Sequence, residues 1–108
     1  MRIVILGSGK GTNAVAIMKA AVEQQLAGTE IVAVFSDIEN AMILKHAESF
    51  NISSRYLNPG NQKTVLSANE EETWINSILE MNPDLIVLAG FMRILKPKFL
   101  SIFKNKII

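Results

Sequence analysis

Seven residues near the start of the chain, Gly7-Ser8-Gly9-Lys10-Gly11-Thr12-Asn13, have the types and spacing to hold a phosphate. Glycines permit positive φ and leave backbone N–H groups uncovered, and a helix opening directly behind them adds the partial positive charge of its first turn. Each N–H bond to a charged phosphate oxygen is worth about 1.5–3 kcal/mol, so two or three such donors fix the anion without a metal. Thr12 and Asn13 add side-chain donors or cap the helix, and Lys10 is either a charge partner for the anion or a solvated loop lysine. Spacing narrows the ligand. A dinucleotide fingerprint needs a glycine where Thr12 stands, and a nucleoside-triphosphate loop needs G-K-[ST] after four spacer residues, which is absent.

Other side chains that could do chemistry are few. Asp37 follows an apolar run, where a dinucleotide enzyme keeps a ribose-binding acid, but a turn or cap role is favoured over that one. His46 is the only histidine, and its angular distance from Leu44 on a helix over 41–50 faces it away from a sheet, as a solvated surface residue. Glu70-Glu71-Glu72 opens a helix, where carboxylates favour the positive end of the dipole; the three point in different directions and do not make a metal site. No spacing of His, Asp and Glu suggests a metal, and with zero cysteines the chain has no disulfide, thiolate zinc site or cysteine nucleophile. That absence fits a cytoplasmic setting.

The elements that must position the glycine loop are legible as patterns. Arg2-Ile3-Val4-Ile5-Leu6, Ile31-Val32-Ala33-Val34-Phe35 and Leu85-Ile86-Val87-Leu88-Ala89 are short, apolar and partly β-branched, as in central strands of a parallel sheet buried on both faces. Residues 53–57 are a more polar run and read as an edge strand. Between these lie helical spacings over 13–25 (Ala14, Ile17, Met18, Ala21 and Val22 on one side; Lys19, Glu23 and Gln24 on the other), over 41–50 (Ile43, Leu44, Ala47, Phe50) and over 70–81 (Trp74, Ile75, Ile78, Leu79). A short helix over 97–104 starts at Pro97, whose missing N–H costs nothing in a first turn. The order β-α-β-α-β-α-β with right-handed crossovers predicts an α/β fold, an open doubly wound, Rossmann-like parallel sheet with its ligand crevice beyond the carboxyl ends of the strands, at 7–13, 36–40 and 90–95. The long polar loop over 58–69 is expected to be mobile or to touch ligand.

At 108 residues the chain is a single domain, and 49% apolar content excludes a disordered chain. A net charge of +1 without a basic run excludes a nucleic-acid or anionic-membrane surface. The longest apolar run, five residues, is far short of the roughly 20 that span a bilayer. With a mean hydropathy of +0.26, the chain carries more apolar matter than a domain this small hides comfortably.

The glycine loop, taken together with Pro83-Asp84-Leu85-Ile86-Val87-Leu88-Ala89-Gly90-Phe91-Met92-Arg93-Ile94-Leu95, resembles the phosphoribosylglycinamide formyltransferases, the folate-dependent enzymes of purine synthesis. The similarity covers the whole chain. Relatives of the same fold, methionyl-tRNA formyltransferase and formyltetrahydrofolate hydrolase, differ at the glycine loop. The resemblance implies the formyltransferase fold, with Gly11, Thr12 and Asn13 on the phosphate of 5-phosphoribosylglycinamide. It also implies that Met92, Arg93, Ile94 and Leu95 line a site for 10-formyltetrahydrofolate, as a flat heterocycle requires of a loop with free backbone groups and apolar side chains. From composition alone Arg93 would be a surface arginine, and Met92, Ile94 and Leu95 would be packing under a loop. The arginine this family commonly places between the third strand and third helix is missing from 58–82; Lys63, the only basic residue of the loop, is its weak substitute, and Ser67 falls near the same place.

Formyl transfer needs an attacking amine, a donor to the oxyanion and a proton relay. The resemblance implies that the asparagine, histidine and aspartate performing these tasks lie beyond Ile108, after a strand that Ile107-Ile108 begins. The chain is therefore expected to be the amino-terminal, phosphate-binding part of such an enzyme, truncated after about four strands, inactive alone, and marginally stable or self-associating through an open sheet edge. A phosphate- or nucleotide-binding module without chemistry uses the same loop and is the alternative; an NAD-type half-domain would require Asp37 to contact a ribose.

Overall fold

The computed structural model describes residues 1–23 and 27–108. The expected alternation is present in order: β1 (Arg2–Leu6), α1 (Thr12–Val22), β2 (Glu30–Ser36), α2 (Met42–Ser49), β3 (Ser54–Tyr56), α3 (Ala68–Glu80), β4 (Leu85–Leu88) and α4 (Pro97–Ile102). The stretch of the first helical pattern that includes Gln24 lies outside the described residues. All pairings are parallel, in the order β3-β2-β1-β4. Going from β1 to β2 to β3 the chain steps one way across the sheet, and from β3 it jumps back over two strands to β4. The direction of winding reverses there, so the helices divide between the faces.

On one face α1 and α2 place Ala14, Met18, Ile43, Leu44 and Ala47 against Ile3, Ile5, Ile31 and Val34. On the other, Trp74, Ile75 and Ile78 of α3 and Phe99 and Phe103 at α4 cover Val4, Leu6, Phe35 and Ile86. Val22 and Leu79, at the margins of their helical stripes, are 54% and 49% exposed instead of buried. One strand contains an irregularity. Ile3 pairs with Ile31 but Val4 with Ala33, so Val32 is an extra residue in β2, a β-bulge.

α2, α3 and α4 each stop shortly before the chain turns left-handed. Asn51 follows α2, Asn82 follows α3 and Asn105 lies just past α4, all at positive φ, a conformation that asparagine tolerates better than most residues.

The expectation that three strands are buried on both faces holds for β1 and β2. β4 departs from it: Leu85 and Val87 are half-buried and Leu88 is 37% exposed. Beyond β4, Ile107 pairs in parallel with Ile86; the Leu88 amide donates to the Ile108 carbonyl at 2.9 Å and the Ile108 amide to the Ile86 carbonyl at 3.0 Å. Ile107-Ile108 thus pairs with β4 as an isolated parallel bridge on the side away from β1. Among the described residues no helix is long and apolar enough to cross a membrane.

Candidate functional site

The winding reverses between β1 and β4, and at such a switch point the loops leaving the two strands part and open a crevice. The loop after β1 is the glycine run; the loop after β4 is 89–95. An open cleft of about 290 Å³ lies between them, lined by residues 9–13 on one side and by Ala89 and Gly90 on the other. Two motifs some eighty positions apart in the chain are thereby joined.

Gly11 precedes α1 at φ 77°, and its carbonyl accepts from the Val15 amide at 2.8 Å. No side chain caps the helix and no acidic residue lies in its first turn. The amides of Thr12, Asn13 and Ala14 have no carbonyl one turn earlier to bond, so donors and the positive end of the helix dipole face the cleft uncompensated. Thr12, Asn13 and Lys10 are exposed there. An anion is the ligand this arrangement suits.

The other wall is tied to the glycine loop at two points. The Ser8 amide donates to the Gly90 carbonyl at 3.3 Å, and the Met92 amide donates to Ser8 Oγ at 2.8 Å. Beyond that anchor, Met92 and Ile94 stand 75% and 67% exposed, an apolar platform beside the cleft. Leu95 turns inward and packs on the α3 side of the core, as does Phe91, whose ring centroid lies 5.4 Å from that of Trp74. Of the four positions expected to line a folate site, two therefore present side chains outward, Leu95 supports from beneath, and Arg93 does something else.

The Arg93 side chain is only 12% exposed. Its Nε donates to Asp37 Oδ2 at 2.8 Å, and its Nη1 donates to the carbonyls of Gln62 and of Val65, the latter at 3.3 Å. The composition reading of a surface arginine is thus corrected, because three acceptors from two other loops surround the guanidinium. Asp37, 4% exposed, sits in the bend directly after β2, as the turn reading expects, and its carboxylate is held by Arg93. Residue-by-residue reading missed this pair. Its signal was two opposite charges, each set in or directly after an apolar run at the carboxyl end of a strand.

The 58–69 loop, expected to be mobile or to touch ligand, is closed on itself. The Gly60 amide donates to Asn58 Oδ1 at 2.9 Å, the Asn61 amide to Ser67 Oγ at 3.1 Å, and the Ser67 amide to the Pro59 carbonyl at 3.0 Å. Lys63 is exposed, one residue before Thr64, whose carbonyl accepts from the Ile94 amide at 2.7 Å; Val65 forms a parallel bridge with Ile94. The loop carrying Lys63 is therefore stitched to the segment carrying Met92 and Ile94. His46, expected as a solvated surface residue, is instead half-buried on α2. The acidic triplet splits as expected: Glu70 and Glu71 lie in the first turn of α3, Glu71 is buried, and Glu72 pairs with Lys98 of α4.

A doubly wound sheet with an uncapped helix start at its switch point and an apolar platform alongside defines a Rossmann-like α/β domain with a crevice suited to an anion. The chain belongs to the formyl transferase family, whose profile matches residues 1–108. It is 36% identical to phosphoribosylglycinamide formyltransferase of Escherichia coli (strain K12) over 108 residues, covering 100% of this chain and 50% of that protein. Among solved structures it is similar to the phosphoribosylglycinamide formyltransferases of Coxiella burnetii (36% identity, TM-score 0.87, 99% of this chain and 49% of that one) and Brucella melitensis (34%, 0.85, 98% and 54%). The chain spans about half the length of each.

Proposed function

We propose that this chain is the phosphate- and folate-binding part of a cytoplasmic enzyme that transfers a formyl group from 10-formyltetrahydrofolate to the amine of 5-phosphoribosylglycinamide. The observation that carries the reading is the junction of the glycine loop with residues 89–95 at the switch point. In this reading the amides at the start of α1, with Gly11, Thr12 and Asn13, hold the ribonucleotide phosphate. Met92 and Ile94 lie against the pterin, backbone groups of the 92–95 segment fix its edge, and Lys63 faces the folate's anionic end. Both reactants are then anchored from opposite walls, which places amine and formyl carbon within reach and supplies the entropic part of the rate enhancement. The oxyanion donor and proton relay come from the other half of the enzyme. The family relationship and the coverage of about half of the bacterial relative support that division.

Gly9 is the residue to test. A Cβ built there meets nothing within 4 Å, whereas one at Gly11 collides with Ile43. Gly9→Ala is expected to melt with the parent chain yet bind 5-phosphoribosylglycinamide about tenfold more weakly, the equivalent of one charge-assisted N–H contact. Isothermal titration measures this; equal affinities in parent and variant would remove the phosphate from this loop. In a formyl-transfer assay the 108 residues alone are expected to give no turnover, and measurable product would show that the chain carries its own acid–base groups.

A further inference from the structure

Three crevice segments converge on one side chain. Arg93 belongs to the platform segment, Asp37 to the end of β2, and Gln62 and Val65 to the loop carrying Lys63. Its backbone neighbours are fixed on both sides as well, Met92 through Ser8 Oγ and Ile94 through the Thr64 carbonyl. We infer that the buried Asp37–Arg93 pair is a positioning device that sets the platform and the 58–66 loop at a defined distance from the glycine loop, and that neither residue touches a ligand through its side chain.

Two observations favour positioning over plain stabilisation. First, Asp37 Oδ1 is buried and accepts no hydrogen bond among the described residues. A desolvated ion pair with an unsatisfied oxygen is a poor source of net stability, because the burial of both charges is incompletely compensated. It is nonetheless a strict source of geometry: a planar guanidinium with donors in fixed directions can meet one carboxylate and two carbonyls only when all three lie in one arrangement. Second, the pair is a polar side-chain connection from the apolar platform to the end of β2. The other links of this segment are two hydrogen bonds to the glycine loop, one hydrogen bond to Thr64 beside the Val65–Ile94 bridge, and the packing of Phe91 and Leu95 on the core.

The structural part of this inference is independent of the ligand; its consequence for binding rests on the folate reading above. Amide hydrogen exchange followed by NMR on the full 108-residue chain separates the two. In Asp37→Ala, the amides of Met92 and Ile94 and those of residues 61–65 are expected to exchange at least tenfold faster, while Val4 and Val34 in the central strands change less than twofold. Asp37→Asn keeps an oxygen for Arg93 Nε and should recover part of the protection; Arg93→Lys should not, since one ammonium cannot serve three acceptors held by a planar fork. Unchanged protection in the loops overturns the inference. So does an equal loss in loops and strands, which would make the pair a global stabiliser only; if Asp37→Ala fails to fold, the profile of Asp37→Asn decides by the same criteria.

Tetrahydrofolate and inorganic phosphate are then titrated separately. The expected split is a fivefold or greater weakening for tetrahydrofolate in Asp37→Ala with phosphate affinity unchanged. Equal weakening of both ligands counts against a specific positioning role. If the parent chain shows no tetrahydrofolate shift at 92–95, the folate reading falls while the exchange data still decide the clamp.

Discussion

Gly11→Val should lower stability by about 3 kcal/mol or more and remove anion binding with it. Two penalties coincide at this residue. Its φ of 77° is left-handed, where a β-branched side chain is strained, and an added Cβ would stand 2.8 Å from Ile43 Cβ and 2.9 Å from Ile43 Cα. The second contact is with backbone, so α2 itself would have to move. Ile43 is fully buried, and its amide donates to the Gly9 carbonyl at 3.2 Å, which means that displacing α2 also pulls on the loop that faces the cleft. A urea titration gives the answer: a midpoint within error of the parent chain would show that α1 and α2 do not meet this closely. Loss of binding in this variant mixes folding with recognition, and Gly9→Ala supplies the unmixed measurement.

Trp74→Ala is expected to cost about 3–5 kcal/mol, the range for emptying a large aromatic site in a core. Trp74 is wholly buried on α3 at the heart of the second core layer. Its Nε1 donates to the Asn58 carbonyl at 3.1 Å and its ring lies against Phe91, so one side chain anchors the start of the 58–69 loop and the base of the platform. Truncation leaves a cavity, an unsatisfied carbonyl and a loosened Phe91 together. Trp74→Phe keeps the ring contact and loses the hydrogen bond, for which about 1 kcal/mol is expected. Denaturation midpoints of the two variants should therefore be well separated; if they coincide, the indole N–H and not the ring carries the effect.

The local patterns were legible because they depend on near neighbours. Apolar runs marked β1, β2 and β4, helical spacing marked α1 to α3, Pro97 marked the start of α4, and the glycine run marked the loop that lines the cleft; only ends moved, as at Thr12, where α1 starts directly behind left-handed Gly11. What was not legible depends on which strands lie side by side. Asp37 and Arg93 meet because the chain jumps from β3 over two strands to β4 and brings the loop after β4 within reach of the end of β2, a proximity that no window around either residue contains. Val32 was unreadable as a bulge for the same reason: an unpaired residue is defined by its partner strand. The exposure of Leu88 likewise follows from its strand's place in the sheet and not from its composition.

Val32 also changes the phase of everything after it. Side chains alternate between faces along a strand, so one additional residue exchanges the destinations of all that follow. Ile31 and Val34 face the α1–α2 layer, whereas Val32, Ala33 and Phe35 share the α3–α4 layer. In an unbulged strand Phe35 would point to the opposite layer. The largest side chain of β2 is thus delivered to the α3–α4 layer by an insertion three positions upstream of it. In this strand the frame, as much as the amino acid, determines which layer receives the bulk.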